Sequence, residues 1–279
     1  MKLFKLVTSL SIFALVLASC SKKKEREDYS PRPPQQSHFN NADGATYYVE
    51  NSPNSAYKVP ISLTNPASSA TKVKVTLVSP TNAVAGTQYT ITSPLELTIP
   101  AGKANDSITV KGLFGGYATN RVDTLVFAIT GGDVPAAAFN DTFKLVLRKY
   151  CPVSLTALSG DYDNTYDVEQ PPVYGPYGVT ITPTNAFSSG TVDTVRIDNF
   201  WDYGGYILVR LDWTDPANFK TTVLDGQTTL GYVHPTYGNV SVRSNGSSTF
   251  SSCDQTFDIK FNLFVSAGTF GNFRTTIAR

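Results

Sequence analysis

The chain has 279 residues and a formal net charge of +1, from 23 Lys+Arg against 22 Asp+Glu. That balance gives no electrostatic case for nucleic acid as a partner, since phosphate-backbone binding needs a clear basic surplus. Charged residues make up only 16% of the chain, below the usual quarter or so, while 15 Tyr, 16 Phe, 20 Gly and 17 Pro fit pleated, half-buried strands joined by turns.

In chain order, Lys2 and Lys5 form a positive start, and Leu6 to Leu17 is an apolar run interrupted only by Thr8, Ser9 and Ser11. Such a run makes about 18 Å of helix, short of the roughly 30 Å hydrocarbon core, so a removable export signal fits better than a spanning helix. Leu17-Ala18-Ser19-Cys20 resembles the lipobox of bacterial lipoproteins. The resemblance implies residues 1–20 as signal peptide, lipid on the Cys20 thiol, and a mature chain held at a membrane by several acyl chains. The alternative is an ordinary secretory signal with a cysteine near its cut. Ser21, not Asp, follows the cysteine, which by the same resemblance favours the outer membrane. Lys22-Lys23-Lys24-Glu25 does not match the acidic surface-export tag of Bacteroidota, so cell surface and periplasmic face both stay open.

Residues 21–44 are rich in charge and proline and lack apolar periodicity, which predicts a disordered tether that includes His38. Residues 45–149 then alternate with a period of two. Val73, Val75 and Leu77 face away from Lys72, Lys74 and Thr76; Leu95, Leu97 and Ile99, Ile108 and Val110, Leu125, Phe127 and Ile129, and Phe143, Leu145 and Leu147 repeat the pattern. Punctuation falls at Asn65-Pro66, Ser79-Pro80, Pro100-Ala101-Gly102 and Gly131-Gly132. About seven short strands of this kind predict an antiparallel sandwich. Gly86-Thr87-Gln88-Tyr89-Thr90, Leu95 to Ile99, Pro100-Ala101-Gly102-Lys103 and Ser107 to Val110 resemble a Calx-beta-type immunoglobulin-like domain and the N-terminal domains of Bacteroidota lipoproteins. Calcium-binding members carry acids where this chain has Gly112-Leu113-Phe114-Gly115-Gly116, with Asp123 the nearest, so calcium is not carried over.

Residues 150–279 read as a second antiparallel β domain, a curled sheet or small soluble barrel. Val179 and Ile181, Ile207 to Trp213, and Phe257 to Leu263 alternate with polar residues. Lys and Arg on those faces, and the redundancy of a second anchor, argue against a transmembrane barrel. Asp225-Gly226 and Asn245-Gly246 are dipeptides of type I′ hairpins. Trp213, in register with Val209 and Leu211, is expected in the core. Cys151 and Cys253 are expected to form a disulfide in an oxidising compartment, with two buried free thiols as the alternative.

Chemistry-bearing motifs are sparse. Gly115-Gly116 and Gly204-Gly205 lack the Lys-Ser/Thr of a phosphate loop. His234, between Tyr232 and Tyr237, has no nucleophile or second-histidine motif beside it and reads as a loop residue. Acids cluster at Asp161, Asp163, Asp167 and Glu169, and at Asp198, Asp202, Asp212 and Asp215; solvated turn caps are the ordinary reading. The aromatics have more leverage: Trp201, Tyr203 and Tyr206 near a double glycine, Tyr174 and Tyr177 in a Pro/Gly loop, and Tyr232 and Tyr237. Rigid aromatics on loops stack on sugars or bury at interfaces at low entropic cost. Packing at sheet ends is the alternative. The expectation is an all-β, non-enzymatic, lipid-anchored envelope protein without cofactor or metal, binding a glycan or another envelope protein. It resembles the accessory lipoproteins encoded beside nutrient-uptake systems in Bacteroidota. A passive spacer or adhesion module, and a hydrolase using the Asp198/Asp202 region, are the competing readings.

Overall fold

The structure is a computed structural model that describes residues 34–279 except 42, 54, 170, 171 and 185–189. The expected signal, Cys20 and most of the expected tether lie outside the described residues. What is described is all-β, in two units.

The first unit runs through β1 (Ser37–Phe39), β2 (Ala45–Val49), β3 (Tyr57–Leu63), β4 (Thr71–Thr81), β5 (Tyr89–Ile91), β6 (Glu96–Ile99), β7 (Asn105–Gly112), β8 (Val122–Gly132) and β9 (Thr142–Lys149). Two sheets, ordered β1-β3-β7-β5 and β2-β9-β8-β4-β6, form a sandwich. The alternating residues of β4, β6, β7, β8 and β9 turn inward, burying Val73, Ile99, Ile108, Phe127 and Leu145 in one core. This matches the alternation in the sequence, and the deviations from it have local causes. The expected tether ends early: β1 pairs with β3, placing Ser37 opposite Leu63, and Phe39 is fully buried against Phe143. Three residues are too few to show a period. His38, on that strand, packs its ring 5.3 Å from Phe139. β2 and β9 pair in parallel, the one such strand pair among the described residues of a sandwich expected to be antiparallel. Ser79-Pro80 does not end a strand but lies within β4, just past a slip in its register with β8, whereas Gly131-Gly132 closes β8 beside a second slip. Within the Calx-beta-like stretch, buried Gln88 accepts from the Val84 N–H and donates to the Gly116 carbonyl, so that motif ties a turn. Asp123 is buried and held by Arg121 at 2.8 Å.

After one helical turn (Leu155–Leu158) the second unit follows: β10 (Gly160–Asp167), β11 (Tyr174–Pro183), β12 (Val192–Asp198), β13 (Tyr206–Asp212), β14 (Lys220–Val223), β15 (Val233–His234), β16 (Gly238–Asn239), β17 (Ser241–Ser244), β18 (Ser248–Ser251), β19 (Thr256–Val265) and β20 (Gly268–Ala278). β20 pairs with both β19 and β10. The ring β10-β11-β12-β13-β14-β18-β19-β20 therefore closes into a barrel, with β17 beside β18 on the same edge of β19 and β15–β16 a separate ribbon. Tyr162, Ile181, Ile197, Val209, Phe257 and Phe261 fill the interior. At eight strands a barrel is just wide enough for side chains to pack it solid. Outside, Thr180, Arg196 and Arg210 are exposed, the reverse of a lipid-facing belt.

Two local expectations fail here. In Asp225-Gly226 and Asn245-Gly246 only the glycines have positive φ, 74° and 78°, so neither is a type I′ turn; β17 and β18 both pair with β19, and Asn245-Gly246 passes the chain between them. Trp213 lies just past the end of β13, half-buried rather than inside the core.

Cys151 and Cys253 form a disulfide with Cα atoms 5.2 Å apart, fastening the entry of the barrel to the β18–β19 turn. The same end meets the sandwich. Thr119 donates to Asp254 at 2.7 Å, and the Tyr150 and Phe219 rings lie 6.1 Å apart. The opposite end of the barrel is the one formed by the β10–β11, β12–β13 and β19–β20 connections, as the terminal pairs Asp167↔Tyr174, Asp198↔Tyr206 and Val265↔Gly268 show.

Candidate functional site

That opposite end holds a cavity of about 600 Å³, lined from four connections by Asp167, Glu169, Tyr174, Trp201, Asp202, Tyr203, Tyr232, His234, Phe270, Phe273 and Arg274 among others. The volume is in the range of small-molecule sites, and a barrel mouth is a common place for one.

The Trp201 loop is held in an unusual conformation. Asn199, Trp201 and Asp202 all have positive φ, 56°, 62° and 56°. A bulky residue there is strained by about 1–3 kcal/mol, which persists only where surrounding contacts over-determine it. Those contacts are present. Phe200 is fully buried, 5.1 Å from Phe261. The Asn199 side chain donates to the Gly178 carbonyl and accepts from the Gly204 N–H, at 2.8 and 3.0 Å. Gly205 packs so closely that a Cβ would lie 2.2 Å from the Leu230 carbonyl carbon. Gly205 thus permits this close approach, while Gly204 supplies a φ of 72°, and Tyr203 lies beside Tyr232 with ring centroids 4.6 Å apart. Trp201 stands edge-on to Phe273 at 5.1 Å and lies 5.7 Å from Tyr203. His234 stacks on Phe270 at 5.3 Å and on Tyr237 at 4.8 Å. Its Nδ1 accepts from the Thr236 and Tyr237 N–H groups.

The polar groups are also fixed. Tyr174 donates to Asp202 at 2.6 Å, which raises the Tyr174 phenol. Asp167 accepts from Tyr177 at 3.0 Å and from Thr275 at 2.5 Å. Burial pushes the Asp167 carboxyl up, and those two hydrogen bonds oppose it. Tyr177 is pushed up by burial and by the Asp167 carboxylate. Arg274 spends its guanidinium on Asp258, at 2.8 and 2.9 Å.

Of the aromatics singled out in the sequence, Trp201, Tyr203, Tyr174 and Tyr232 line the cavity. Tyr237 flanks it through His234. Two do not belong to the lining. Tyr177 is buried beneath it, supporting Asp167, and Tyr206 lies on the outer face of β13 under Arg196, 3.8 Å from guanidinium to ring. Asp198 and Asp202 are not brought together: Asp198 pairs with Arg196 outside the barrel, while Asp202 shares the cavity with Asp167 and Glu169. Sequence reasoning passed over Phe270, Phe273 and Arg274, and read His234 as an ordinary loop residue. Gly268-Thr-Phe-Gly-Asn-Phe carries the same aromatic-beside-glycine signal as the Trp201 loop.

Among the described residues no group of three or more His, Cys, Asp or Glu is placed to hold a metal ion. No protein-family model matches the chain, and no curated protein matches it. Solved structures similar to it include the apo form of a Calx CBD1 domain, 13% identical over 42% of this chain and 97% of that one, with a TM-score of 0.33. A protein of Bacteroides ovatus ATCC 8483 named as a candidate carbohydrate-binding protein is 15% identical, covering 85% of this chain and 69% of its own, at TM-score 0.34. A Bacteroides ovatus multidomain protein that includes DUF1735 is 11% identical, covering 88% and 92%, at TM-score 0.27.

Proposed function

We propose that the chain is a non-enzymatic envelope protein, lipid-anchored through Cys20 at the outer membrane, that binds a glycan in the cavity at the barrel mouth. One observation carries the reading: among the described residues, the large apolar side chains left exposed on the barrel, Val173, Tyr174, Tyr203, Val233 and Tyr237, lie on the connections around that cavity. Exposed apolar groups gathered at one concavity mark a binding site, whereas scattered ones do not. Rings braced by Phe261 and Phe273 offer flat faces to a pyranose with little rotamer entropy left to lose. A glycan array probed with the mature chain, with Trp201→Ala and Tyr203→Ala alongside, tests it. Glycan capture lost in both variants supports the reading. Silence on the array together with capture of an envelope protein by the same face turns it toward a protein partner. Silence in both favours a spacer. Palmitate labelling of wild type and its loss in Cys20→Ser test the anchor.

Hydrolysis is the second reading, favoured by Asp167 and Asp202 bordering one cavity as the paired carboxylates of glycosidases do. Reducing sugar released from a captured glycan, and abolished by Asp202→Asn, would establish it.

A further inference from the structure

The lining of the mouth has a sign. Asp167, Glu169 and Asp202 contribute three carboxylates, which as ions only accept hydrogen bonds. Arg274, the guanidinium among the described lining residues, is bonded to Asp258, which lies outside the lining, and its charge is felt more weakly by Glu169, so the carboxylates still outnumber it. His234 turns its Nδ1 lone pair to the backbone N–H groups of Thr236 and Tyr237. The rings of Trp201, Tyr203 and Tyr232 share the lining, and an aromatic face is the negative side of its quadrupole. Carboxylates and π faces both attract a cation, and both disfavour an anion of the same shape. The aromatics set the other half of the selectivity: a flat, partly apolar body must accompany the charge to fill a cavity of about 600 Å³.

We infer that the mouth selects an amino sugar bearing a protonated amine, its ring stacked on Tyr203, Tyr232 or Trp201 and its ammonium directed to Asp202, Asp167 and Glu169. This rests on the glycan reading above and narrows it. N-acetylation removes the charge, and oxidation to a uronate reverses it, so neutral and acidic saccharides of equal size are the poorer ligands.

The test is a titration of the mature chain, followed by Trp fluorescence and calorimetry, with a fully deacetylated glucosamine tetramer, its N-acetylated counterpart, a uronate tetramer and a tetralysine peptide. The expected result is binding of the deacetylated tetramer about tenfold or more tighter than the N-acetylated one. That ratio should shrink as salt is raised and in Asp202→Asn. Asn tolerates the left-handed backbone at that position and its one carbonyl oxygen still accepts from Tyr174, while Asn199, which also donates to Asp202, keeps its bonds to Gly178 and Gly204 that hold the loop. Trp201→Ala should abolish binding of both tetramers, which places the effect in the mouth. Equal affinity for amine and N-acetyl tetramers, or preference for the uronate, overturns the inference and leaves glycan binding standing. Tetralysine bound as tightly as the amino sugar overturns its saccharide half. A folded chain that binds no saccharide at all removes both this inference and the reading beneath it.

Discussion

Replacing both Cys151 and Cys253 with Ser should lower the stability of the barrel far more than that of the sandwich. The bridge closes a loop of 102 residues, which contains most of the barrel and none of the sandwich strands. In the chain-entropy model a loop of that length removes about 16 cal/mol/K from the unfolded state, or about 4.7 kcal/mol at room temperature. The native side loses little, because Ser252 donates to the Cys151 carbonyl at 2.6 Å and still holds the two segments together. Unfolding entropy of about 2.1 cal/mol/K per residue over ~130 barrel residues gives ~0.27 kcal/mol/K, so the barrel transition should fall by about 17 °C. Scanning calorimetry of wild type and double variant measures it, with intrinsic Trp fluorescence reporting the barrel alone, since both tryptophans lie there. A barrel transition lowered by less than ~5 °C, or a matching drop in the sandwich, would refute the reasoning that the bridge acts by restricting the unfolded barrel.

Gly205→Ala should cost about 1–3 kcal/mol through overpacking against Leu230, and should separate Tyr203 from Tyr232; near-ultraviolet circular dichroism and loss of ligand binding check both. Arg121→Ala leaves the Asp123 carboxylate buried without its partner and should destabilise the sandwich by about 2–3 kcal/mol in urea titration, while leaving ligand binding at the mouth unchanged. Asp167→Asn tests the raised carboxyl. Between its unfolded and folded pKa the native state keeps a proton that the unfolded chain has released, so wild-type stability falls as pH rises through that window. The variant lacks this loss, and its melting temperature should gain on wild type from about pH 4 upward and then level off. A difference that stays constant across pH would contradict it.

Much of this fold is legible in alternation alone. Val73 to Val75, Phe143 to Leu147 and Phe257 to Leu263 each bury every second residue because one face of a sheet must leave water. What alternation misses is pairing. Nothing local to Ala45–Val49 tells it to run parallel to β9, and three residues at Ser37–Phe39 carry too little pattern to be separated from a tether. The site was legible in part for a physical reason. Aromatics beside glycine and proline must sit on turns, and the turns β10–β11, β12–β13 and β19–β20 meet only when the barrel closes. Which of them would meet depends on that closure, so Tyr174 and Trp201 came to share a cavity with Phe270 and Phe273, while Tyr206, one residue into a strand with an outward face, did not. The acids behaved likewise: Asp202 found Asp167 across the barrel and not Asp198, its neighbour in sequence.

The order of connections also fixes which way the molecule points. Phe39 bonds to Asn140 at the start of β9, and Thr64 reaches back to Pro34, whereas β9 ends at the joint beside Tyr150. The first described residues therefore lie at the end of the sandwich away from the joint, and the cavity lies at the end of the barrel away from it. Arg279, bonded to Gln255 and lying over Tyr162, is back at the joint. Immobilising the protein through its amino-terminal side leaves the mouth facing outward, so surface-based assays built that way keep the site open, while a carboxyl-terminal fusion crowds the seam between the two units.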